Sequence, residues 1–201
     1  MQSAKPDPLA SVRRALARPG RDTSDYDLNL DVVLPAGRIL RPAAVLVGFQ
    51  DGVGGPQVIL TKRASHLKHH PGQIAFPGGK VDPSDHDVVA AALREAHEEI
   101  GLTAADVRVL GVTEPHETVT GFTVTPVLAQ IASGFCPVPQ EAEVDEIFAV
   151  PLTHFADPAH YRIESRLWRG QLRRYYAVPY GPYYIWGATA RILRALADRM
   201  G

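Results

Sequence analysis

Cysteine is nearly absent from this chain of 201 residues, since Cys136 is the single one. An internal disulfide framework is therefore excluded, which suits a reducing compartment, and we interpret Cys136 as a small packed or loop residue. No apolar run approaches the ~20 residues that a membrane-spanning helix needs. The first thirty residues also lack the apolar stretch of a signal peptide. The sequence therefore predicts a cytoplasmic protein with no membrane partner.

A large excess of charge of either sign is missing as well, because the formal net charge is -1. General nucleic-acid binders normally carry a strong basic excess, so the sequence predicts no nucleic-acid partner. The content of hydrophobic residues, 45%, and of charged residues, 21%, is ordinary for a globular protein. We expect an extension over residues 1–40, with a short helix within 8–17 and an extended segment, and one domain over residues 41–201.

Hydrophobic periodicity predicts an α/β fold. Predicted helices cover residues 87–100, with Asp87 as N-cap and Gly101 at the end, and residues 184–200. Residues 64–85, rich in glycine, proline and histidine, are predicted to be loop. The predicted strands are 43–49, 58–61, 107–112, 122–131, 147–150 and a hairpin of 161–167 with 172–178 around Arg169-Gly170. A mixed sheet between helices is the expected architecture.

One predicted helix carries a cluster of acidic residues. Glu95, Glu98 and Glu99 stand at i, i+3 and i+4, within an arc of roughly 100° on one face. Their mutual repulsion is unfavourable unless a cation lies among them, and Mg²⁺ or Mn²⁺ prefers such carboxylate oxygens. A solvated acidic face is the alternative. Arg94 could pair with Glu98 and fix its orientation.

The two sides of this helix are predicted to differ. We expect Val89, Leu93, Ala96 and Ile100 to pack against the sheet. Ala91 and Ala92 are expected on the carboxylate side, where small side chains leave room for a ligand.

A corner rich in glycine precedes the helix. In Phe76-Pro77-Gly78-Gly79, two glycines let the backbone approach a ligand closely, and a free carbonyl there can complete a metal shell. In isolation such a corner is more often only a tight turn. Beside the carboxylate helix, it is interpreted as one wall of a phosphate and metal site.

The stretch resembles the Nudix box, G-x5-E-x7-R-E-U-x-E-E-x-G-U with U aliphatic. Gly79 begins it, and it closes with Arg94-Glu95-Ala96-His97-Glu98-Glu99-Ile100-Gly101-Leu102. The first half departs from the pattern, because it is one residue longer and, counted back from Arg94, His86 occupies the register of the first glutamate. Either Asp85 or Asp87 could be the substitute, a choice the sequence leaves open. The resemblance implies an α/β/α sandwich and a metal-dependent pyrophosphohydrolase.

Residues 59–79 resemble a further signature, that of coenzyme A pyrophosphatases: L-L-T-x-R-[SA]-x3-R-x3-G-x3-F-P-G-G. Here Ile59 stands in place of the first leucine and Lys68 in place of the second arginine. The one-residue extension of the box is also familiar in this subfamily. The resemblance implies hydrolysis of coenzyme A or its derivatives to 3′,5′-ADP and 4′-phosphopantetheine.

The resemblance also implies residue roles. Glu95, Glu98 and Glu99 would share the metal with the carbonyl of Gly79, and Arg94 joins the three glutamates as the catalytic set. The residues expected to bind substrate are Arg63, Lys68, Lys62, Gly78 and Glu143. The two lysines and Arg63 suit the extra 3′-phosphate of coenzyme A, although each could be a solvated surface charge.

The general base is left open. It is one of the box glutamates or an outer carboxylate, for which the best source is the acidic run Glu141, Glu143, Asp145 and Glu146. Residues 114–117 could line the pocket or form an ordinary polar turn. The aromatic residues near the C-terminus could stack on adenine, although core or interface positions are more common for such residues: Tyr175, Tyr176, Tyr180, Tyr183, Tyr184 and Trp186.

Two alternatives remain beside the coenzyme A hypothesis. The same box serves ADP-ribose, nucleotide sugars, dinucleoside polyphosphates and oxidised nucleotides. The chain could instead be an inactive Nudix module that binds a nucleotide, although such modules usually lose the box glutamates. A homodimer is a further hypothesis, because the first forty residues and the C-terminal aromatic region could bury surface between subunits.

Overall fold

The fold is organised around one long strand of a nine-stranded mixed sheet in the computed structural model, which describes residues 7–168 and 170–201. A separate two-stranded sheet lies beside it. The strands are β1 (Thr23–Ser24), β2 (Arg41–Gly52), β3 (Gly55–Arg63), β4 (Ile74–Ala75), β5 (Gly78–Lys80), β6 (Val107–Val112), β7 (His116–Glu117), β8 (Phe122–Ile131), β9 (Val144–Pro151), β10 (Arg162–Trp168) and β11 (Gln171–Ala177). The helices are α1 (Ala10–Ala17), α2 (Val88–Ile100), α3 (Leu152–Ala156) and α4 (Ala188–Met200).

Strand β2 occupies the centre of the sheet. It runs parallel to β8 on one side. On its other side it is antiparallel to β5 near its start and to β3 near its end. The short strands β4 and β5 therefore lie between β2 and β3, where these two strands of the hairpin diverge. Strand β5 places Gly78 and Gly79 next to β2.

Helices cover both faces of this sheet, because β2 buries apolar side chains alternately on either side. Ala44 and Leu46 pack under α2. Ala43, Val47 and Phe49 belong to the larger core on the opposite face, together with residues of α1, α3 and α4. The predicted α/β architecture, a mixed sheet between helices, is therefore confirmed.

The segment from residue 7 to residue 29, which contains α1 and β1, packs onto the face that carries α4, whereas most of residues 30–40 are exposed. Leu9 and Val12 are fully buried there. Strand β1 runs parallel to β7, and next to it the ring of His116 lies 2.9 Å from the Thr23 hydroxyl (Nδ1 to Oγ1) and 3.2 Å from Asp25 (Nε2 to Oδ1). These contacts attach the segment to the sheet.

Several elements of the structure differ from the predicted ones in their bounds. The C-terminal helix begins at Ala188 and not at residue 184, because residues 177 and 186 form a β-bridge and Gly187 adopts a positive φ of 65°. Residues 64–85 are not all loop, since they contain β4 and β5. The predicted hairpin is present as β10 and β11, while Arg169 of its turn and residues 1–6 of the predicted extension lie outside the described residues.

Two further features concern the surface. Cys136 is exposed in the loop between β8 and β9, in agreement with its interpretation as a loop residue. Within the described ranges, we find no helix with the length and apolar character needed to cross a membrane.

Candidate active site

Helix α2 has well-defined ends. The Asp87 side chain accepts a hydrogen bond of 2.8 Å from the backbone N–H of Ala90 and so caps the N-terminus, as its position in the sequence predicted. Gly101 ends the helix in the left-handed conformation, with φ of 71°, which a glycine adopts without steric cost. The carboxylates of the helix are therefore held on a rigid element.

The predicted division of α2 into a packing side and a ligand side is wrong in part. Ala91 and Ala92 are fully buried against the sheet and do not line an open ligand side. The reason is geometric: positions 91, 92, 95, 96 and 99 share one helix face, which packs on the strands. Val89 and Leu93 are only partly buried. The small alanines let α2 approach the sheet closely, so Glu95 and Glu99 are brought towards the strands.

The glycine corner lies directly against these two glutamates. The backbone N–H of Gly78 donates a hydrogen bond of 3.2 Å to Glu99 Oε2. A Cβ at position 78 would lie 2.4 Å from the carbonyl oxygen of Ala44, and a Cβ at position 79 would lie 2.4 Å from Glu95 Oε1. Close approach of the backbone therefore requires a glycine at position 78, whereas a side chain at position 79 would displace the Glu95 carboxylate.

Burial dominates the electrostatics of Glu99. Its residue is 3% exposed, and burial raises the pKa of its carboxyl to about 8, against the hydrogen bond from Gly78 and the charge of Arg63, which lower it. The pKa of Glu95 is also raised, mainly by burial and in part by the negative charges of Glu98 and Glu143, while Arg94 opposes the shift. The site therefore concentrates carboxyl groups where water is scarce, and this burial favours their protonated forms.

Arg94 connects this helix to the loop before it. Its guanidinium donates to both carboxylate oxygens of Asp85, each at 3.0 Å, and to the carbonyl oxygen of Lys80 at 3.0 Å. Through Nη1 it also contacts Glu95 at 3.1 Å and Glu98 at 3.2 Å. The predicted Arg94–Glu98 pair is present, but it is one contact of a wider network.

The substitute for the first box glutamate can be located by geometry. Asp85 faces Arg94 and its side chain is 5% exposed, whereas Asp87 caps α2 and His86 is directed to solvent with 83% of its side chain exposed. The extra residue in the loop therefore places Asp85, and not His86, beside the arginine of the box.

The donor chemistry of the site suits a hard divalent cation. Carboxylate oxygens are the ligands that Mg²⁺ and Mn²⁺ prefer. Burial is the main cause of the raised pKa values of Glu95 and Glu99, and neighbouring negative charges, which a cation would relieve, add to it. In the described residues, no three His, Cys, Asp or Glu side chains stand close enough to hold a metal as they are. Arg94 explains part of this, since it engages Glu95 and Glu98 at once.

The predicted cationic residues separate into two groups. Arg63 lies close enough to Glu99 for its charge to lower the pKa of that carboxyl. Lys62, its neighbour at a register shift between β3 and β9, lines a cavity of about 530 Å³. Lys68 lies exposed in the loop after β3, outside the lining of that cavity.

The acidic residues of the run before β9 also differ in their contacts. Glu143 lies near the box, and its negative charge therefore contributes to the raised pKa of both Glu95 and Glu99. Asp145 accepts a hydrogen bond of 2.9 Å from the backbone N–H of Ser65, Glu146 accepts one from the hydroxyl of Tyr183, and Glu141 is exposed. Glu143 is thus the member of the run that acts electrostatically on the box.

Two cavities of substantial volume lie on the α4 side of the sheet. The smaller, of about 320 Å³, is lined by residues of α4 and of the segment around Gly20. Of its charged groups, Arg199 pairs with Glu114, and Arg191 pairs with Asp27. Of residues 114–117, Glu114 thus lines this cavity and His116 is buried behind it.

Aromatic residues that are exposed or half-buried line the larger cavity. Tyr184 and Trp186 line it, while Tyr183 also stacks on Phe148 with ring centroids 3.6 Å apart. Tyr176 and Tyr180 pack against the core. Arg166, from β10, lines the same cavity. Sequence reasoning missed Arg166, because it is brought there by the hairpin and no local motif marks it.

Comparisons with known proteins agree on one family. The NUDIX domain model matches residues 39–167. Proteins named uncharacterized Nudix hydrolase NudL, from Enterobacter sp. (strain 638) and Salmonella paratyphi B, are each 41% identical to this chain over 187 residues. The alignment with the Enterobacter protein covers 88% of this chain and 97% of that protein, and the alignment with the Salmonella protein covers 87% and 96%.

Solved structures are similar as well. The Nudix hydrolase RenU from M. smegmatis superposes with a TM-score of 0.50 at 28% identity, over 61% of this chain and 84% of that one. A NUDIX hydrolase from Alicyclobacillus acidocaldarius gives a TM-score of 0.51 at 21% identity, over 81% and 93%, and this second similarity concerns the fold alone.

Proposed function

The chain belongs to the Nudix family of hydrolases, which act on phosphoanhydrides, and we propose that it is a divalent-metal-dependent enzyme that hydrolyses the pyrophosphate of coenzyme A or its derivatives. The products are 3′,5′-ADP and 4′-phosphopantetheine, or acyl-phosphopantetheine. The observation that carries the proposal is the close packing of Glu95 and Glu99 against Gly78-Gly79, with the charge of Arg63 acting on Glu99.

The glutamates hold the metal in this proposal. Glu95, Glu98 and Glu99, with the carbonyl of Gly79, form the ligand set for Mg²⁺ or Mn²⁺. When bound, the cation supplies positive charge against the pyrophosphate oxygens and makes water a better nucleophile. Arg94, fixed by Asp85, orients Glu95 and Glu98. Burial of Glu99 keeps its carboxylate away from bulk water and so strengthens its electrostatic interactions.

The remaining residues select the substrate. Arg63 and Lys62 stand at the end of β3, between the carboxylates and the larger cavity, and are assigned to the phosphates. Gly78, which lies in the glycine corner beside Glu99, is also assigned to substrate binding. Lys68 stands in the loop that follows and is assigned to the same phosphates. Glu143, whose charge acts on Glu95 and Glu99, is assigned to the edge of the site, where an outer carboxylate can interact with bound substrate.

A substrate panel tests the proposal directly. The purified protein is assayed with Mg²⁺ and separately with Mn²⁺ on coenzyme A, acetyl-coenzyme A, ADP-ribose, NADH, a nucleotide sugar and a dNTP, with products separated by chromatography. Metal-dependent release of 3′,5′-ADP from coenzyme A, well ahead of the others, is expected. A preference for ADP-ribose or another compound would keep the Nudix chemistry and refute the coenzyme A assignment. No turnover of any compound would favour the inactive binding module.

We further propose that two chains form a homodimer. Apolar side chains are exposed both in the N-terminal segment, at Leu30 and Val33, and on the β10–β11 hairpin, at Leu167 and Leu172. Burying them between subunits would remove them from water. Sedimentation that shows a monomer at micromolar concentration would refute this proposal.

A further inference from the structure

The larger cavity has the size and the lining of a nucleotide site. Its volume of about 530 Å³ falls within the range of roughly 300–1,000 Å³ typical of ligand pockets. Its wall comes from five separate parts of the chain: β3, β4 with the loop before it, β9, β10 and the segment before α4. The lining residues that matter for a ligand are Lys62, Ile74, Arg166, Tyr184 and Trp186.

The positive charges of this cavity are available to a ligand. Neither Lys62 nor Arg166 forms an ion pair with a carboxylate in the described part of the chain. The carboxylates nearby are engaged by tyrosines instead: Glu146 accepts a hydrogen bond from Tyr183, and Glu164 accepts one from Tyr184. Among the described residues, Lys62 and Arg166 thus bring two positive charges to the cavity against the one carboxylate of Glu146, which stands opposite Lys62 in the β3–β9 pairing. This balance favours an anionic ligand.

Arg166 is held in a defined position. Its guanidinium carbon lies 4.2 Å from the centroid of the Trp186 ring, so the planar group rests on the aromatic face. Trp186 is itself fixed by an edge contact with Tyr175, whose ring centroid is 5.2 Å away. A guanidinium stacked in this way keeps its N–H donors directed outward in its own plane, where they match the oxygens of a phosphate.

The cavity adjoins the carboxylate site along the chain. Lys62 lines the cavity, and the next residue, Arg63, acts on Glu99. The pairing of β3 with β9 shifts register between these two residues, and such an irregularity re-aims side chains at the end of a strand. On the other wall, Ile74 of β4 precedes the glycine corner by four residues. Two adjacent residues of β3 thus connect the cavity with the carboxylate site.

We propose that Arg166 and Lys62 bind a phosphate monoester of the substrate, separate from its pyrophosphate, and that Trp186 is the residue that positions Arg166. The inference rests on the proposed function and deepens it. The cavity then makes the enzyme select nucleotides that carry an additional phosphate on the ribose, as coenzyme A does. Arg166 lies outside the sequence signature and adds a contact to it.

A binding measurement tests the site without turnover. The two probes are 3′,5′-ADP and 5′-AMP, titrated calorimetrically into the full chain with Mg²⁺; they differ by the one phosphate in question. The wild type is expected to bind 3′,5′-ADP about ten- to a hundredfold more tightly, as hydrogen bonds to charged groups imply. Arg166→Gln is expected to remove most of this difference. Arg162→Gln, an exposed arginine on the same strand, is the matched control and is expected to keep it.

Kinetics separate binding from the chemical step. With coenzyme A, Arg166→Gln is expected to raise KM about tenfold or more and to leave kcat within about twofold, because the phosphate contact does not change in the reaction. With 3′-dephospho-coenzyme A, the same variant is expected to behave like the wild type. Trp186→Ala is expected to show a smaller loss of the same kind. If Arg166→Gln does not fold, Arg166→Lys, which keeps the charge but loses the planar stack, replaces it.

The outcomes distinguish the two proposals. Hydrolysis of coenzyme A with unchanged discrimination in Arg166→Gln overturns the phosphate site and leaves the proposed function standing. Tight binding of 3′,5′-ADP that Arg166→Gln abolishes, without hydrolysis of coenzyme A, supports the site and overturns the proposed function. Equal binding of the two probes by the wild type, or the same loss in Arg162→Gln, also overturns the site.

Discussion

The carboxylate of Asp85 accepts two hydrogen bonds of 3.0 Å from the guanidinium of Arg94, one from Nε and one from Nη2. This side-on pair joins the loop before α2 to the helix, and a further bond from Arg94 to the carbonyl of Lys80 joins it to β5. The hydrogen bond from Arg94 is the main reason why the pKa of Asp85 is lowered, and Asp85 is the main reason why the pKa of Arg94 is raised. One ion pair thus fixes the arginine that contacts Glu95 and Glu98.

Loss of the Asp85 charge is expected to impair catalysis. Asp85→Asn removes one of the two acceptors and the ion pair, so Arg94 is free to move further onto Glu95 and Glu98 and to compete with the metal. We expect kcat/KM to fall by about tenfold to a hundredfold, as misplacement of catalytic groups does, and the Mg²⁺ requirement to rise. The control is Asp82→Asn, because Asp82 is exposed and lies 3.8 Å from Arg94. Equal rates in Asp82→Asn and Asp85→Asn would contradict this role.

We expect His86 to be dispensable for activity, because of its position in the loop before α2. Its side chain is directed to solvent, and Asp85 already fills the position beside Arg94. His86→Glu, which restores the glutamate of the family pattern, is therefore expected to change kcat/KM by less than about twofold, within the range of exposed surface substitutions. Steady-state kinetics with the preferred substrate measures it. A large gain in rate would mean that the loop before α2 adopts another conformation and that Asp85 does not substitute for the first glutamate of the box.

The close approach of Gly79 to Glu95 predicts a steric effect. A Cβ at position 79 would lie 2.4 Å from Glu95 Oε1, so Gly79→Ala must displace this carboxylate. We expect a loss of about a hundredfold in kcat/KM with a far-ultraviolet circular dichroism spectrum like that of the wild type. Gly134→Ala is the matched control, because no atom lies within 4 Å of a Cβ built at that position. Wild-type activity in Gly79→Ala would show that Glu95 is not needed where it stands.

Removing the box carboxylates is expected to abolish most turnover. Glu98→Gln and Glu99→Gln each lose a negative metal ligand of nearly the same shape, and we expect kcat to fall by about a hundredfold or more while the fold stays intact. Glu141→Gln, at an exposed residue of the loop before β9, is expected to behave like the wild type. Near-normal rates of either box variant at saturating Mg²⁺ would refute the assignment of metal ligands.

The raised pKa of Glu99 predicts how stability changes with pH when metal is removed by a chelator. Between about pH 4.5 and pH 8 the folded protein keeps a proton on Glu99 that the unfolded chain has released. The free energy of unfolding therefore falls, by a few kcal/mol, as the pH rises through this window. Urea denaturation at several pH values measures the slope. Glu99→Gln is expected to flatten it, and an equal slope in that variant would show that another group causes the pH dependence.

The sequence by itself determined the helix, its caps and the acidic cluster that it carries. The spacing of Glu95, Glu98 and Glu99, the cap at Asp87 and the stop at Gly101 are local properties, because hydrogen bonds within one helix and its turns decide them. The same holds for the mixed α/β fold and for strands β6 and β8, which begin and end where the hydrophobic pattern does. The glycine corner was also marked by sequence, since close approach requires that residue type.

Tertiary structure decided the rest, because it depends on contacts between distant segments. Packing of α2 onto the sheet buried Ala91 and Ala92 and turned Glu95 and Glu99 towards the strands, and periodicity alone had assigned the two alanines to the ligand side. Only the path of the loop shows that Asp85, and not Asp87, meets Arg94. Arg166 reaches the same cavity as Lys62 through the β10–β11 hairpin, and no pattern within either segment encodes a meeting that forms only when the chain folds.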